Sequence, residues 1–195
     1  MIRVNKRKGF FLFEILIIVS IILLIFSFSY IKVLKIREER DLERAVLVIL
    51  KTLEGYSANS LLMAIEYKIK LQYNNNKIEV QKNSENKILE EVIQLPSKLK
   101  YRIPYTINSN LKLLDNMEIK TTINGNISDS FTTYILDYSG NIKYRVAIYN
   151  FQENKLVKIN VYKKIYGEKI SEDKLLDYHQ RLFEEEELGN DWRKW

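Results

Sequence analysis

The sequence has 195 residues, 46% of them hydrophobic, which is enough for one domain with an apolar core and excludes global disorder. It contains no cysteine and one histidine, His179, which excludes disulfides, thiolate metal sites, thiol nucleophiles and most histidine-based catalysis. The formal net charge is +6, but residues 1–9 contain four basic residues and no acidic one, which leaves 27 of the 31 basic residues against 25 acidic ones. Because the remaining chain is nearly neutral, its bulk charge gives little support to nucleic-acid binding.

The first predicted element is an apolar helix over residues 10–31, in which Glu14 is the only charged residue. A helix of this length rises roughly 33 Å, enough to cross a hydrocarbon core of about 30 Å. Lys6, Arg7 and Lys8 precede it, and basic residues favour the cytoplasmic side of a membrane. We therefore predict a single span of the cytoplasmic (inner) membrane, with the N-terminus inside and the following chain exported.

This apolar run could also be a secretory signal peptide or a plain membrane anchor, and each predicts different features in the sequence. A secretory signal peptide has a shorter apolar stretch of about 7–15 residues followed by a small-residue cleavage site, whereas this run is longer and no Ala-x-Ala site follows it. A plain membrane anchor needs only the run, but it does not explain Glu14, because a carboxylate within a span costs about 2.5–3.5 kcal/mol and usually has a partner. The one cation that this helix can offer is the α-amino group created by cleavage before Phe10, four residues away on the same helix face.

The sequence KRKGFFLFE, from Lys6 to Glu14, resembles the prepilin peptidase motif of type IV prepilins and pseudopilins. The motif consists of a short basic leader, a glycine, a phenylalanine, and a glutamate at the fifth position of the mature chain. The resemblance implies that residues 1–9 are a leader cleaved between Gly9 and Phe10, that Phe10 is N-methylated, and that Glu14 neutralises the amine of an adjacent subunit during assembly. It also implies the partners: prepilin peptidase, the membrane, and other pilins or pseudopilins packed against the N-terminal helix in a filament outside the cytoplasm.

Three departures from the usual pilin pattern favour a minor pilin or a pseudopilin over an abundant major pilin. Phe11 stands where the family usually has threonine, the apolar helix contains no proline, and no cysteine pair closes a C-terminal loop. The motif is shared by pilus, type II secretion and competence systems, so it does not select one machine.

The chain after the span is predicted to be α+β. Over residues 32–64 the helix continues as an amphipathic helix, whose apolar residues recur at steps of three and four: Leu42, Val46, Ile49, Leu50 and Leu53. Over residues 65–170, alternating apolar residues and turn signals predict an antiparallel β domain, with strands at 65–73, 77–81, 117–123, 131–137, 142–149 and 156–162. The predicted fold is a long N-terminal helix packed on an antiparallel sheet, which is pilin-like.

The predicted β domain resembles that of H-type pseudopilins and their minor-pilin relatives. The shared features are a Leu-Pro element at Leu95-Pro96, an apolar strand that runs into Ser139-Gly140-Asn141, and paired strands that end at Tyr166-Gly167-Glu168. Together with the N-terminal motif, the resemblance covers residues 6–170.

Residues 171–195 are predicted to form a C-terminal helix and an aromatic tail. Ser171 is the expected N-cap, because acidic residues follow it in the first turn. Four residues then recur at helical spacing: Leu175, His179, Leu182 and Phe183. The tail ends with Trp192 and Trp195, which pack on this protein's own sheet or dock a partner subunit, and the sequence does not choose between the two.

Two features of this segment have a functional and a structural interpretation. The run Glu184–Glu187 is a poor Ca²⁺ cage, because consecutive helical residues point in different directions, so we interpret it as a solvated helix face. His179 lies on the apolar stripe, so we interpret it as a packing residue rather than as a catalytic group or a metal ligand.

We predict no enzymatic activity and no cofactor or metal, because the sequence has no phosphate-binding loop, nucleophile elbow or metal-ligand spacing. Three functions remain. The first is a structural subunit of a type IV pilus or of a type II secretion or competence pseudopilus. The alternatives are a binding module at a filament tip, which captures for example DNA, and a plain single-pass membrane-anchored exported domain. DNA capture needs a basic stripe. Two stripes are candidates: Lys98, Lys100 and Arg102, and Lys155, Lys158, Lys163 and Lys164. The near-neutral mature chain favours the structural subunit and disfavours nucleic acid as a partner.

Overall fold

The computed structural model describes residues 6–83, 88–107, 110–150, 156–184 and 191–195, and it describes the backbone alone at residues 6–10, 12, 183 and 184. Two compact units divide the chain, residues 1–40 and residues 41–195. The first unit contains the apolar part of one long helix. The second contains the rest of that helix, all of the described strands and a short second helix.

Helix α1 extends over Lys6–Met63. No proline interrupts it, and Gly55 in its second half does not end it, because the apolar residues before this glycine are held in the core. The helix ends where Ala64 takes a left-handed conformation with φ of 52°, which is the usual way in which a helix terminates. The end of the helix thus lies one residue before the predicted boundary at residue 64.

The strands form two antiparallel sheets. Their bounds are β1 Tyr67–Gln72, β2 Lys77–Lys82, β3 Leu89–Gln94, β4 Lys100–Ile107, β5 Asn110–Leu114, β6 Asn116–Lys120, β7 Phe131–Leu136, β8 Ile142–Tyr149, β9 Lys158–Lys164 and β10 Trp192–Lys194. The strand order is β3-β2-β1-β6 in the four-stranded sheet and β10-β9-β8-β7-β4-β5 in the six-stranded sheet. Helix α2, Leu175–Glu184, follows a 3-10 turn at Glu172–Lys174. A long helix with antiparallel sheets confirms the predicted α+β class.

Strand β4 changes its partner halfway along its length. Its first part, Lys100–Arg102, pairs with β7, and from Ile103 to Ile107 it pairs with β5. Pro104 lies in the second part, where it has no N–H to donate and where the strand needs a partner on one side only. Because the pairing with β7 ends at Arg102, β4 and β7 are not joined by a ladder beyond that point.

The main core lies between the second half of α1 and both sheets. The helix contributes Leu42, Ala45, Val46, Ile49 and Leu53, and the strands contribute among others Ile69, Ile78, Ile119, Ile135, Tyr144 and Val161. Neighbouring residues of a strand point to opposite faces, so Tyr134 of β7 belongs to a second cluster on the other face of the six-stranded sheet. There Leu175 of α2 and Trp192 of β10 pack against it. Strand β7 is therefore buried on both faces along its whole length, its two threonines included.

The sequence predicted some strands and missed others. The hairpin β1–β2 and the strands β6 to β9 appear within a few residues of the predicted positions, whereas β3, β4, β5 and β10 were not predicted. Strand β3 is exposed at most of its positions, so it lacks the alternation that a half-buried strand shows. Strand β10 has three residues, too few for any period, and its place is determined by pairing with β9.

Candidate functional site

The apolar part of α1 has no protein cover among the described residues. Every side chain from residue 13 to residue 33 is exposed. By length and composition, the helix contains a segment apolar enough to cross a membrane, with a mean hydropathy of 2.5 and none of that segment buried. The hydroxyls of Ser20 and Ser27 donate to the carbonyls of Leu16 and Leu23 at 2.7 and 2.8 Å, so these two polar groups are satisfied within the helix. The surface of this segment is thus almost entirely apolar and fits a single-pass membrane anchor.

Glu14 is the exception on this apolar surface. Its side chain is exposed, and among the residues whose side chains are described no cation forms an ion pair with it. Gly9 and Phe10, the predicted cleavage position, lie in the described backbone of α1, as do Lys6, Arg7 and Lys8 of the predicted leader, whose side chains are outside the description. The predicted cleavage position therefore lies in helical backbone, with Phe10 four residues before Glu14.

The second half of α1 is fixed to the β domain by polar contacts as well as by its apolar stripe. The carboxylate of Asp41 accepts a hydrogen bond from the Tyr138 hydroxyl at 2.6 Å. The Ser57 hydroxyl donates to the carbonyl of Gly125, and the Ser60 hydroxyl donates to Thr121 at 2.5 Å. Both serines are fully buried. These contacts were not predicted from the sequence, although serines three residues apart on the buried face of a helix are a signal for them.

Two of the three residues of the first candidate DNA stripe are in ion pairs, while the third, Lys98, is exposed and lies over the ring of Tyr138. The ammonium of Lys100 lies 2.8 Å from Glu172, and the guanidinium of Arg102 contacts both Glu172 and Asp115. Burial alone would raise the pKa of Glu172, but hydrogen bonds from the two basic side chains outweigh it and lower this pKa below its ordinary value. These cations are therefore engaged within the protein, and binding a phosphate backbone would require breaking the pairs.

The second candidate stripe does not form one uniform basic surface. Lys164 is half-buried with a side chain that is 6% exposed, pairs with Asp191 at 3.1 Å, and lies over the rings of Tyr178 and Trp192. Lys163 lies over the ring of Tyr144. Lys158 is exposed at the start of β9, and Lys155 falls outside the described residues. The strand therefore places these lysines in different surroundings.

The predicted C-terminal helix is present, but its start differs from the prediction. Ser171 has an extended backbone and its side chain makes no capping hydrogen bond, because a 3-10 turn rather than an α-helical turn follows it. Leu175 and His179 are buried and Leu182 is half-buried, as the stripe predicted, while the side chain of Phe183 lies outside the description.

His179 packs on the six-stranded sheet, as predicted. Its Nδ1 is 2.9 Å from the Tyr134 hydroxyl in a hydrogen bond that the sequence analysis did not anticipate. Burial and the neighbouring positive charge of Arg145 lower the pKa of His179 to about 4, so the imidazole is neutral near pH 7. Burial also raises the pKa of Tyr134 above its ordinary range.

The aromatic tail is divided between the protein's own core and its surface. Trp192 is 9% exposed, belongs to the second cluster, and donates its indole N–H to the Tyr178 hydroxyl at 2.6 Å. Trp195 is 46% exposed, with its ring edge toward Tyr144. The backbone of Gly167, with φ of 83°, is so close to Asp191 that a Cβ would overlap the carboxylate. Trp192 thus packs on this protein's own sheet, while Trp195 remains accessible.

No group of three or more acidic or histidine side chains in the described part of the chain is arranged to hold a metal ion. The run Glu184–Glu187, which the sequence analysis considered for Ca²⁺, lies outside the residues whose side chains are described.

Comparisons with known proteins find a likeness to solved structures but none to a family model or a curated protein. No family model matches the sequence, and no curated protein matches it. Two solved structures of the minor pseudopilin EpsH from the type II secretion system of Vibrio cholerae are similar to this chain at 11% sequence identity. The matches cover 60% and 62% of this chain and 94% and 93% of the solved chains, with TM-scores of 0.45 and 0.46.

Proposed function

We propose that this chain is a structural subunit of an extracytoplasmic filament: a minor pilin or pseudopilin that is cleaved between Gly9 and Phe10 and assembled through α1. The observation that carries the proposal is the position of one carboxylate, Glu14, five residues after Gly9 on a helix surface that is otherwise apolar and exposed. A membrane anchor gains nothing from this carboxylate, whereas a packed helix with a free amine at Phe10 gives it a partner.

The proposed role of Glu14 is electrostatic. Cleavage before Phe10 creates an α-amino group, which is protonated near neutral pH because its ordinary pKa is about 7.7–8.0. In a low-dielectric helix bundle, the attraction between the amine of one subunit and the carboxylate of the next offsets the desolvation penalty of the two charges. Removing the carboxylate leaves the amine of the neighbouring subunit buried without a partner, which costs about 3–5 kcal/mol and corresponds to incorporation into the filament that is weaker by more than about a hundredfold.

The β domain has a supporting role in this proposal. The second half of α1 is buried against the two sheets, so the helix that carries the apolar segment is anchored at its other end in the β domain. We further propose that the N-terminus stays on the cytoplasmic side of the inner membrane, because the basic residues precede the span. DNA capture at a filament tip has less support, because Lys100 and Arg102 are paired with acidic residues of the same domain.

The deciding experiment is the intact mass and N-terminal sequence of the full chain expressed with and without a prepilin peptidase. We expect the peptidase to yield a product that starts at Phe10 and exceeds the calculated mass of residues 10–195 by one methyl group. A Gly9→Val variant should remain uncut, because the branched side chain keeps the peptidase from approaching the backbone closely. A product that still starts at Met1 in the presence of an active peptidase would reject the processing proposal and leave an anchored, exported domain.

Assembly is tested separately with Glu14→Val and with Glu43→Val as its matched control. Both variants replace a glutamate on α1, but Glu43 lies on the exposed face of the helix within the β domain unit. We expect both variants to be processed, and only the Glu14 variant to disappear from sheared filaments. Equal incorporation of the two variants would show that the carboxylate at residue 14 has no role in assembly.

The DNA alternative is tested by a mobility-shift titration of the purified full chain against salt. A slope of several units in the logarithm of affinity against the logarithm of salt concentration would support phosphate contacts, and no binding at low salt would remove this alternative.

A further inference from the structure

A cavity of about 820 Å³ lies where strands β4 and β7 separate. It is lined by residues of β4, β5, β7, β8 and α2, including Tyr105, Leu111, Thr132, Arg145 and His179. The cavity exists because β4 pairs with β7 only as far as Arg102 and then follows β5. Its volume is in the range of about 300–1,000 Å³ that ligand sites of proteins occupy.

The backbone at the cavity offers unused pairing positions. Over Phe131–Thr133, strand β7 pairs with β8, and its register with β4 covers only Tyr134–Leu136. A strand that is paired on one side presents alternate N–H and C=O groups on its other side. An extended peptide is the ligand that such a row of backbone groups recognises best.

The charge of the cavity is positive and comes from Arg145. None of its described lining residues is acidic, and no carboxylate of the described residues forms an ion pair with Arg145. The Nε of this guanidinium is buried without a hydrogen-bond partner, and the guanidinium carbon lies 5.7 Å from the centre of the Tyr162 ring. A guanidinium with an unpaired Nε donor, in a cavity whose described lining contains no acidic residue, favours a carboxylate, because guanidinium and carboxylate groups form two parallel hydrogen bonds.

The neighbouring groups reinforce this preference without competing for the ligand. The imidazole of His179 is held by Tyr134, and its lowered pKa keeps it neutral, so Arg145 is the one cation of the described lining. Apolar and aromatic residues such as Leu111 and Tyr149 form the walls. The cavity therefore combines apolar surface, a free strand edge and a single positive charge.

We propose that this cavity binds a short extended peptide that carries a carboxylate, with Arg145 as the residue that anchors the carboxylate and β7 as the strand that pairs with the peptide backbone. The carboxylate is the C-terminus of the peptide or one of its acidic side groups. This inference is independent of the processing and assembly proposed for the N-terminal helix.

The test is calorimetric titration of the full chain in detergent micelles with three N-acetylated tripeptides. The first is Leu-Val-Leu with a free carboxylate, the second is its C-terminal amide, and the third is Leu-Glu-Leu amide, which carries the carboxylate on a side chain. We expect the free acid to bind at least about tenfold more tightly than its amide, because a hydrogen-bonded ion pair is lost in the amide. Binding of the first peptide or of the third identifies the source of the carboxylate.

Two variants and a control locate the site. Arg145→Gln should abolish the difference between acid and amide, whereas Arg193→Gln, the same charge change at an exposed residue of β10, should preserve it. Leu111→Trp fills the cavity and should remove binding of all three peptides. This second variant keeps the proposal testable if the Arg145 variant does not fold. The proposal is overturned if no peptide binds up to millimolar concentration, if neither carboxylate-bearing peptide binds more tightly than the Leu-Val-Leu amide, or if the Arg145 and Leu111 variants bind like the unmodified protein.

Discussion

Replacing Ile49 by alanine tests how much of the stability of the β domain unit comes from α1. Ile49 is fully buried between the helix and the sheets, whereas Leu47, two residues earlier on the same helix, is 41% exposed. Ile49→Ala removes about 2.4 kcal/mol of transfer free energy at about 0.8 kcal/mol per CH₂ group, and the cavity left in a close-packed core brings the loss to about 2–5 kcal/mol. Leu47→Ala leaves no enclosed cavity and loses about half of its transfer term, about 1 kcal/mol.

The assay is thermal unfolding of the full chain in detergent, followed by near-ultraviolet circular dichroism, which reports on the tyrosines packed in the core. A domain of this size loses about 2–4 °C in Tm per kcal/mol. We therefore expect Tm to fall by about 5–15 °C for Ile49→Ala and by about 2–4 °C for Leu47→Ala. Equal shifts for the two variants would refute the burial of one face of α1 in the β domain core.

Three further predictions concern single side chains and are checked by the same unfolding measurements. Glu172→Gln should lower stability by about 1 kcal/mol at neutral pH, because the pKa of this carboxyl is lowered in the folded state. The difference between the variant and the unmodified protein should vanish as the pH falls below about 4.5. The control Glu168→Gln, at a side chain that is 83% exposed, should have no effect at any pH. His179→Gln should make the protein less sensitive to acid. The pKa of the imidazole is lowered from 6.5 to about 4, so its protonation does not affect stability above pH 6.5 and destabilises the folded state by up to about 3 kcal/mol as the pH falls to 4. An unchanged dependence of stability on pH in the variant would contradict the burial of His179. Gly55→Ala should raise stability by about 0.5–1 kcal/mol because the helix has room for the methyl group, whereas Gly167→Ala should lower stability because of its positive φ and its overlap with a carboxylate.

The elements that the sequence predicted are those whose local pattern agrees with their burial. The alternation of β1 and β2 matches a sheet with one buried face, whereas β7, which has aromatic or aliphatic residues at four of its six positions, is buried on both faces. The apolar stripe of α1 was predicted from its spacing, and the structure adds Ala45, which is too small to be recognised as a core residue from its type alone.

The contacts that the sequence did not reveal join residues that are far apart along the chain. The hydrogen bond between Tyr134 and His179 and the ion pair between Lys100 and Glu172 each link two strands or helices that meet only in the folded protein. No local period encodes such pairs, because each partner alone resembles an ordinary polar residue of a strand or helix. For the same reason the cavity near Arg145 was not predicted, since it exists only because β4 changes its pairing partner from β7 to β5.

The exchange of partners in β4 also determines how the six-stranded sheet responds to strain. Because no ladder joins Ile103–Ile107 to Phe131–Thr133, these two stretches can move apart without breaking a backbone hydrogen bond between them. The width of the sheet at this point is then controlled by side-chain packing, which rearranges on the timescale of rotamer changes, rather than by cooperative opening of strands. The distance between β4 and β7 can thus change at this point, while the distances between the strands from β7 to β10 are fixed by backbone pairing.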